Sequence, residues 1–205
     1  MHKTEPGKPE PLGATVDRNG VNFSILAPDA DSVQLLLFNG AKDLVPFQSI
    51  DITNRTLYYW HVYVPGLKPA GFYGFRVGGP NTDHDLTALG HRFNSHKVLL
   101  DPYSLGNADD LWNRQDACGP NDNLMTSMRS AIIDVASYDW ENDAAPNRAR
   151  RDTVIYELHV RGFTQSSSSQ CSHPGTFAGL VEKLPYITSL GVTAVELMPR
   201  AGIVW

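Results

Sequence analysis

Several absences narrow what this chain can be. Only two cysteines, Cys118 and Cys171, occur in 205 residues; they are too few and too far apart for a disulfide framework or a metal knuckle, so both are expected as reduced thiols. No run of about 18 apolar residues could cross a bilayer, and the opening Met1-His2-Lys3-Thr4-Glu5-Pro6 lacks the apolar stretch of a signal peptide. A cytoplasmic location is the expectation. Excess positive charge is missing too. The formal net charge of -5 argues against nucleic acid or a membrane surface as partner. No phosphate loop, nucleophile elbow or zinc motif appears, and His84, His91 and His96 lack metal-ligand spacing. Asp116, Asn121, Asp122 and Asn123 offer oxygen ligands without the spacing of a dedicated calcium loop, and read as a solvated loop. Arg148, Arg150 and Arg151 read as a solvated linker face. Neither a metal nor a cofactor is expected.

What is present suits a globular protein, with 41% hydrophobic and 19% charged residues, enough for one large or two small domains. Residues 1–10 are Pro-rich and charged and are predicted to be a disordered lead. Residues 11–103 alternate short apolar runs with turn signals. Asn19-Gly20 separates Thr15-Val16 from Val21–Leu26, and Asn39-Gly40 closes Ser32–Phe38. Further strands are expected over Leu57–Val64, ended by Pro65-Gly66, and over Gly71–Val77. This spacing predicts an all-β, immunoglobulin-like sandwich. Residues 104–152 are rich in Asn, Asp and Pro and are predicted to be an irregular connection.

From residue 153 the pattern changes. Tyr156, Leu158 and Val160 alternate with Glu157, His159 and Arg161, which predicts a strand over Val154–Phe163 with one apolar and one charged face. Phe177, Leu180, Val181, Leu184, Ile187 and Leu190 then recur at helical spacing, with a kink expected at Pro185 and a stop at Gly191. Thr193–Met198 reads as a second strand. Strand, helix and strand with a short crossover imply parallel pairing, as at the start of a barrel or of a doubly wound sheet.

Two blocks of residues resemble a known family. Tyr156-Glu157-Leu158-His159-Val160-Arg161-Gly162-Phe163-Thr164, then Gly175-Thr176-Phe177, Lys183-Leu184-Pro185-Tyr186 and Leu190–Pro199, are similar to the start of the α-amylase-superfamily catalytic barrel (glycoside hydrolase family 13). Upstream, Trp60–Leu67, Tyr73–Val77, Gly90–Asn94 and Leu99–Tyr103 resemble the N-terminal carbohydrate-binding-type sandwich, family 48-like, of the same enzymes. Arg161–Thr164 and Arg92-Phe93-Asn94 ahead of Asp101-Pro102-Tyr103 look most like the isoamylase and glycogen-debranching group. Branching enzymes and trehalose-releasing hydrolases share this layout. The resemblance implies that residues 153–205 begin a TIM barrel that is incomplete here, and that the substrate is glycogen or another branched α-glucan.

Glycoside cleavage by a retaining enzyme needs two carboxyl groups about 5–5.5 Å apart. Glu157 and Glu196 are the only acids on the two predicted barrel strands, which would lie about 4.8 Å apart if paired. Barrel active sites, however, sit at the C-terminal strand ends. Glu157, His159 and Arg161 are therefore expected to form a structural polar network inside the barrel. The resemblance implies that the nucleophilic Asp, the acid Glu and the stabilising Asp lie on barrel strands beyond Trp205, so no catalytic residue is expected in the chain. After Met198-Pro199 the ending Arg200–Trp205 departs from the Phe- and Asp-containing loop usual in debranching enzymes, from which a truncated or shifted reading frame is expected. The remaining activity would be glucan binding by aromatic stacking. Alternation places Tyr58 and Trp60 together on one strand face and Tyr59 and Tyr63 on the other. Tyr58 and Trp60 are the candidate pair. A stand-alone glucan-binding module is the alternative function.

Overall fold

A computed structural model describes residues 1–80 and 92–198. It falls into two compact units, Met1–Asp139 and Trp140–Trp205. His84, His91 and the ending Arg200–Trp205 lie outside the described residues.

The first unit is a β-sandwich. Its strands are β1 (Gly13–Val16), β2 (Gly20–Leu26), β3 (Ser32–Phe38), β4 (Gln48–Ile52), β5 (Asn54–Thr56), β6 (Tyr59–Pro65), β7 (Phe72–Gly78), β8 (Asn107–Ala108) and, after a short helix α1 (Arg114–Cys118), β9 (Arg129–Ala131). One antiparallel sheet runs β1-β2-β6-β5 and the other β4-β3-β7-β9-β8. Alternation along the strands sends Val21, Phe23 and Ile25, Trp60, Val62 and Val64 inward from the first sheet. They meet Val33, Leu35, Leu37, Tyr73, Phe75 and Val77 of the second. The Asn19-Gly20 hairpin forms as expected, with the Asp17 side chain accepting from both amides. β3 is buried on both faces: Leu36 and Phe38 form a second cluster with Val98, Phe72 and Leu124.

Two sequence expectations fail here. Residues 1–10 are not a disordered lead. They form a strap that pairs Glu5 with Tyr63 at the edge of β6, beyond the end of β5, and then crosses the outer face of the first sheet. Outward polar side chains take the strap's main chain: Asn22 bonds both the amide and the carbonyl of Lys8, Ser24 donates to Pro9 O at 2.6 Å, and His61 Nδ1 meets Pro6 O at 2.7 Å. Gly7 is required in it, because φ is +70° and a β-carbon would meet Tyr63 N at 2.7 Å. Residues 104–152 are likewise not wholly irregular. β8 and β9 extend the second sheet through pairing with Phe72 and Tyr73, and they are too short for periodicity to reveal.

The second unit contains β10 (Ile155–Leu158), the helices α2 (Val160–Thr164), α3 (Phe177–Glu182) and α4 (Leu184–Ser189), and β11 (Ala194–Leu197). β10 and β11 pair in parallel, with Glu157 opposite Glu196. The expected helix kink is a break: α3 ends at Glu182, and Pro185 sits in the first turn of α4, where its missing N–H costs nothing. The predicted strand through Phe163 stops at Leu158, because the His159 ring caps Gly162 N at 3.1 Å and starts a helical turn. Its core is small: Leu158, Val160, Leu180 and Ile187. Among the described residues no helix is long and apolar enough to cross a membrane.

Candidate functional site

Glu157, His159 and Arg161 do not form the expected polar network. All three are exposed, no described hydrogen bond or ion pair joins them, and His159 is spent as the α2 cap. Glu157 and Glu196 are neighbours across the parallel pair, yet both face solvent. Neither sits in an enclosed pocket at the end of its strand, where barrel active sites lie.

The candidate pair Tyr58 and Trp60 is also separated. Leu57 adopts φ +55°, so β6 begins only at Tyr59 and Tyr58 belongs to the turn, 57% exposed. Trp60 is 8% exposed, its Nε1 donates to Ala27 O at 3.1 Å, and the Arg55 guanidinium lies 5.1 Å from its ring centroid. It is a core residue, not an open stacking surface. Tyr73 and Phe75 are buried against each other and Phe23.

The aromatic rings left on the outer face are Tyr59 and Tyr63 of β6, joined by Tyr103. The strap makes them into clefts. One, of about 590 Å³, lies among Lys8, Thr15, Asp17, Asn22 and Tyr63. The other, also about 590 Å³, is bounded by Leu12, Tyr59 and Tyr103. Glu10 and Pro11 of the strap line both.

Each wall is held from below. Tyr63 donates to Asp17 Oδ1 at 2.7 Å. That bond, with the Asn19 and Gly20 amides, lowers the Asp17 carboxyl below its ordinary value, while burial and the Asp17 charge push the Tyr63 phenol up to about 12. Tyr103 is 52% exposed, but its backbone is fixed by Asp101, which is 3% exposed. Asp101 accepts from Tyr103 N and from the core phenol of Tyr73, both at 2.8 Å, and its own N–H donates to Ser130 Oγ. Burial raises the Asp101 carboxyl above the usual range. Gly13, at φ +90°, lets Tyr103 lie against β1, since a β-carbon there would come within 3.0 Å of Tyr103 O. Sequence reasoning noticed Asp101-Pro102-Tyr103 as a family motif but had no signal that it turns Tyr103 toward Tyr59.

The loop around residue 121 is solvent-exposed at Asp116, Asn121 and Asp122, and it is tied down as well. Arg76 bonds both oxygens of Asp122, Lys97 Nζ donates to the carbonyls of Asp116 and Asn121, and buried Asn123 accepts from Val98 N. Among the described residues no group of three His, Cys, Asp or Glu side chains could hold a metal ion.

Residues 11–104 match the family model of carbohydrate-binding module 48 (isoamylase N-terminal domain). Over 97% of its length the chain is 38% identical to a glycogen debranching enzyme of Pectobacterium carotovorum, of which it covers 30%. Over 94% it is 36% identical to chloroplastic isoamylase 1 of Oryza sativa, covering 24% of that protein. A pullulanase from Paenibacillus barengoltzii, solved in complex with maltohexaose and α-cyclodextrin, superposes with a TM-score of 0.69 at 26% identity, over 95% of this chain and 28% of that one. The chain spans about 30% of the length of the first of these relatives. Residues 11–104 are therefore similar to carbohydrate-binding module 48, the isoamylase N-terminal domain, in a chain that is similar over most of its length to glycogen debranching enzymes and isoamylases.

Proposed function

We propose that this chain is the front end of a hydrolase that cleaves α-1,6 branch linkages in glycogen or a related α-glucan. The observation that carries this reading is the order of parts. A family 48 module precedes a strand, a split helix and a parallel strand, and the similarity to a glycogen debranching enzyme runs through both units, over 97% of the chain. On this reading β10 and β11 open an eight-stranded barrel, whose later elements would cover the exposed Ile155, Val181, Leu184 and Leu190. The nucleophile and the acid would come from those later strands. Cleavage requires two carboxyl groups flanking the scissile bond in a closed site, and Glu157 and Glu196 are exposed neighbours on an open pair of strands. The chain alone is expected to contact α-glucan through its sandwich and to leave the glucan uncut.

The test is a graft. The remainder of the Pectobacterium enzyme, joined after Met198, should release linear chains from glycogen, while the present chain releases none. A folded graft without activity, beside an active parent enzyme, would overturn the reading. It would favour a stand-alone glucan-binding module, which the separate sandwich core also supports.

A further inference from the structure

We propose that the outer face of the four-stranded sheet is a binding track for a linear α-glucan, with Tyr59 and Tyr103 as stacking platforms and the strap as its dividing wall. This deepens the glucan-contact reading above and rests on it.

The first support is rigidity. Tyr59 is set in β6 between Leu26 of β2 and Thr56 of β5, and Tyr103 is mounted on the buried Asp101. A tyrosine carries only two side-chain torsions, so rings on a fixed backbone give apolar contact at low entropic cost. Pyranose rings present such apolar faces. The second is continuity. The Tyr59–Tyr103 cleft and the Asp17–Tyr63 cleft share Glu10 and Pro11 and are each about 590 Å³, within the range of small-ligand sites.

The third support is charge. Glu5, Glu10 and Asp17 line the track against the single cation Lys8, so a phosphate or an acidic peptide is disfavoured. An apolar peptide would strip water from these carboxylates without pairing them. Sugar hydroxyls are neutral donors that suit them. Asp17 commits Oδ1 to Asn19, Gly20 and Tyr63, and no described hydrogen bond occupies Oδ2.

The experiment is native electrophoresis of the full chain through gels containing amylopectin, with maltoheptaose titrations by calorimetry. The unaltered chain should be retarded. Tyr103→Ala and Tyr59→Ala should each weaken binding roughly three- to tenfold, Tyr103→Phe should retain it, and Tyr58→Ala, outside the track, should change nothing. Thermal melting monitors the fold. If Tyr59→Ala unfolds the sandwich, Tyr103 alone decides, since its ring is half exposed and makes no described hydrogen bond. Retarded parent and equally retarded Tyr103→Ala would overturn the track and leave the glucan reading standing. Loss of binding in Tyr58→Ala would also overturn it, in favour of another surface. No retardation of the parent would overturn both.

Discussion

At the scale of single residues, the sandwich depends on a few polar groups placed where burial makes them expensive to disturb. Asp101 joins the Tyr73 phenol, the Tyr103 amide and the Ser130 hydroxyl beneath the second sheet. Asp101→Ala leaves a buried phenol and an amide without their acceptor, and an unpaired buried group costs about 1–3 kcal/mol. We expect about 2–4 kcal/mol of destabilisation by urea unfolding at neutral pH, and less for Asp101→Asn, which retains an acceptor. Because burial raises the Asp101 carboxyl, the folded state holds this proton more tightly than the unfolded chain. Its contribution is greatest below the ordinary aspartate value and fades as pH rises through the folded value, so Asp101→Asn should gain on the parent across that window.

Asp17 has the opposite sign. Its carboxyl is lowered chiefly by the Tyr63 hydroxyl, so its contribution is present above the unfolded value and disappears as pH falls through the folded one. The melting-temperature gap between the parent and Asp17→Asn should be open at pH 7 and close in acid. A gap that is constant with pH would show that the Tyr63–Asp17 bond does not set the Asp17 charge.

At the scale of elements, the strap and the broken helix carry the most information. The strap gains about 0.5–1.5 kcal/mol from each hydrogen bond it makes to Asn22, Ser24 and His61, against about 1–2 kcal/mol for ordering each residue. These bonds offset only part of the ordering cost. The strap should therefore open well before the sandwich unfolds, with the Lys8 amide exchanging hydrogen much faster than those of β2. Equal protection would mean that the strap folds with the core. A truncation lacking residues 1–10 is expected to keep a cooperative melt. The strap was illegible in sequence because Pro and charge dominate its composition, while the groups that hold it, Asn22, Ser24 and His61, lie elsewhere in the chain. The disturbance at Pro185 was legible, as a kink where the structure has a break, because Pro185 acts locally through its own missing N–H.

At the scale of the whole molecule, the two units differ in self-sufficiency. The sandwich has a core contributed by both sheets. Among the described residues the second unit has a core of four buried apolar side chains, Leu158, Val160, Leu180 and Ile187, with Phe163, Val192 and Val195 packed against it, little apolar burial for the length of backbone it orders. It also exposes Ile155, Phe177, Val181, Tyr186 and Leu190 by half or more. Limited proteolysis is expected to trim the chain back towards residues 140–152 and to spare the sandwich. A protease-resistant species reaching Trp205 would overturn this expectation.

The sequence by itself determined what depends on neighbours along the chain. Alternation marked β2, β3 and β7, the Asn19-Gly20 turn marked the first hairpin, and period and proline marked α3 and α4. Those signals act over a few residues, so local spacing suffices to read them. Only the tertiary structure decided which aromatic rings reach solvent. Leu57 at positive φ removed Tyr58 from the strand, the core claimed Trp60, and Asp101 brought Tyr103 beside Tyr59 across more than forty positions of sequence. Alternation fixes faces within one strand. Which face is covered, and by which distant segment, depends on where the rest of the chain can bury its apolar surface and pair its polar groups.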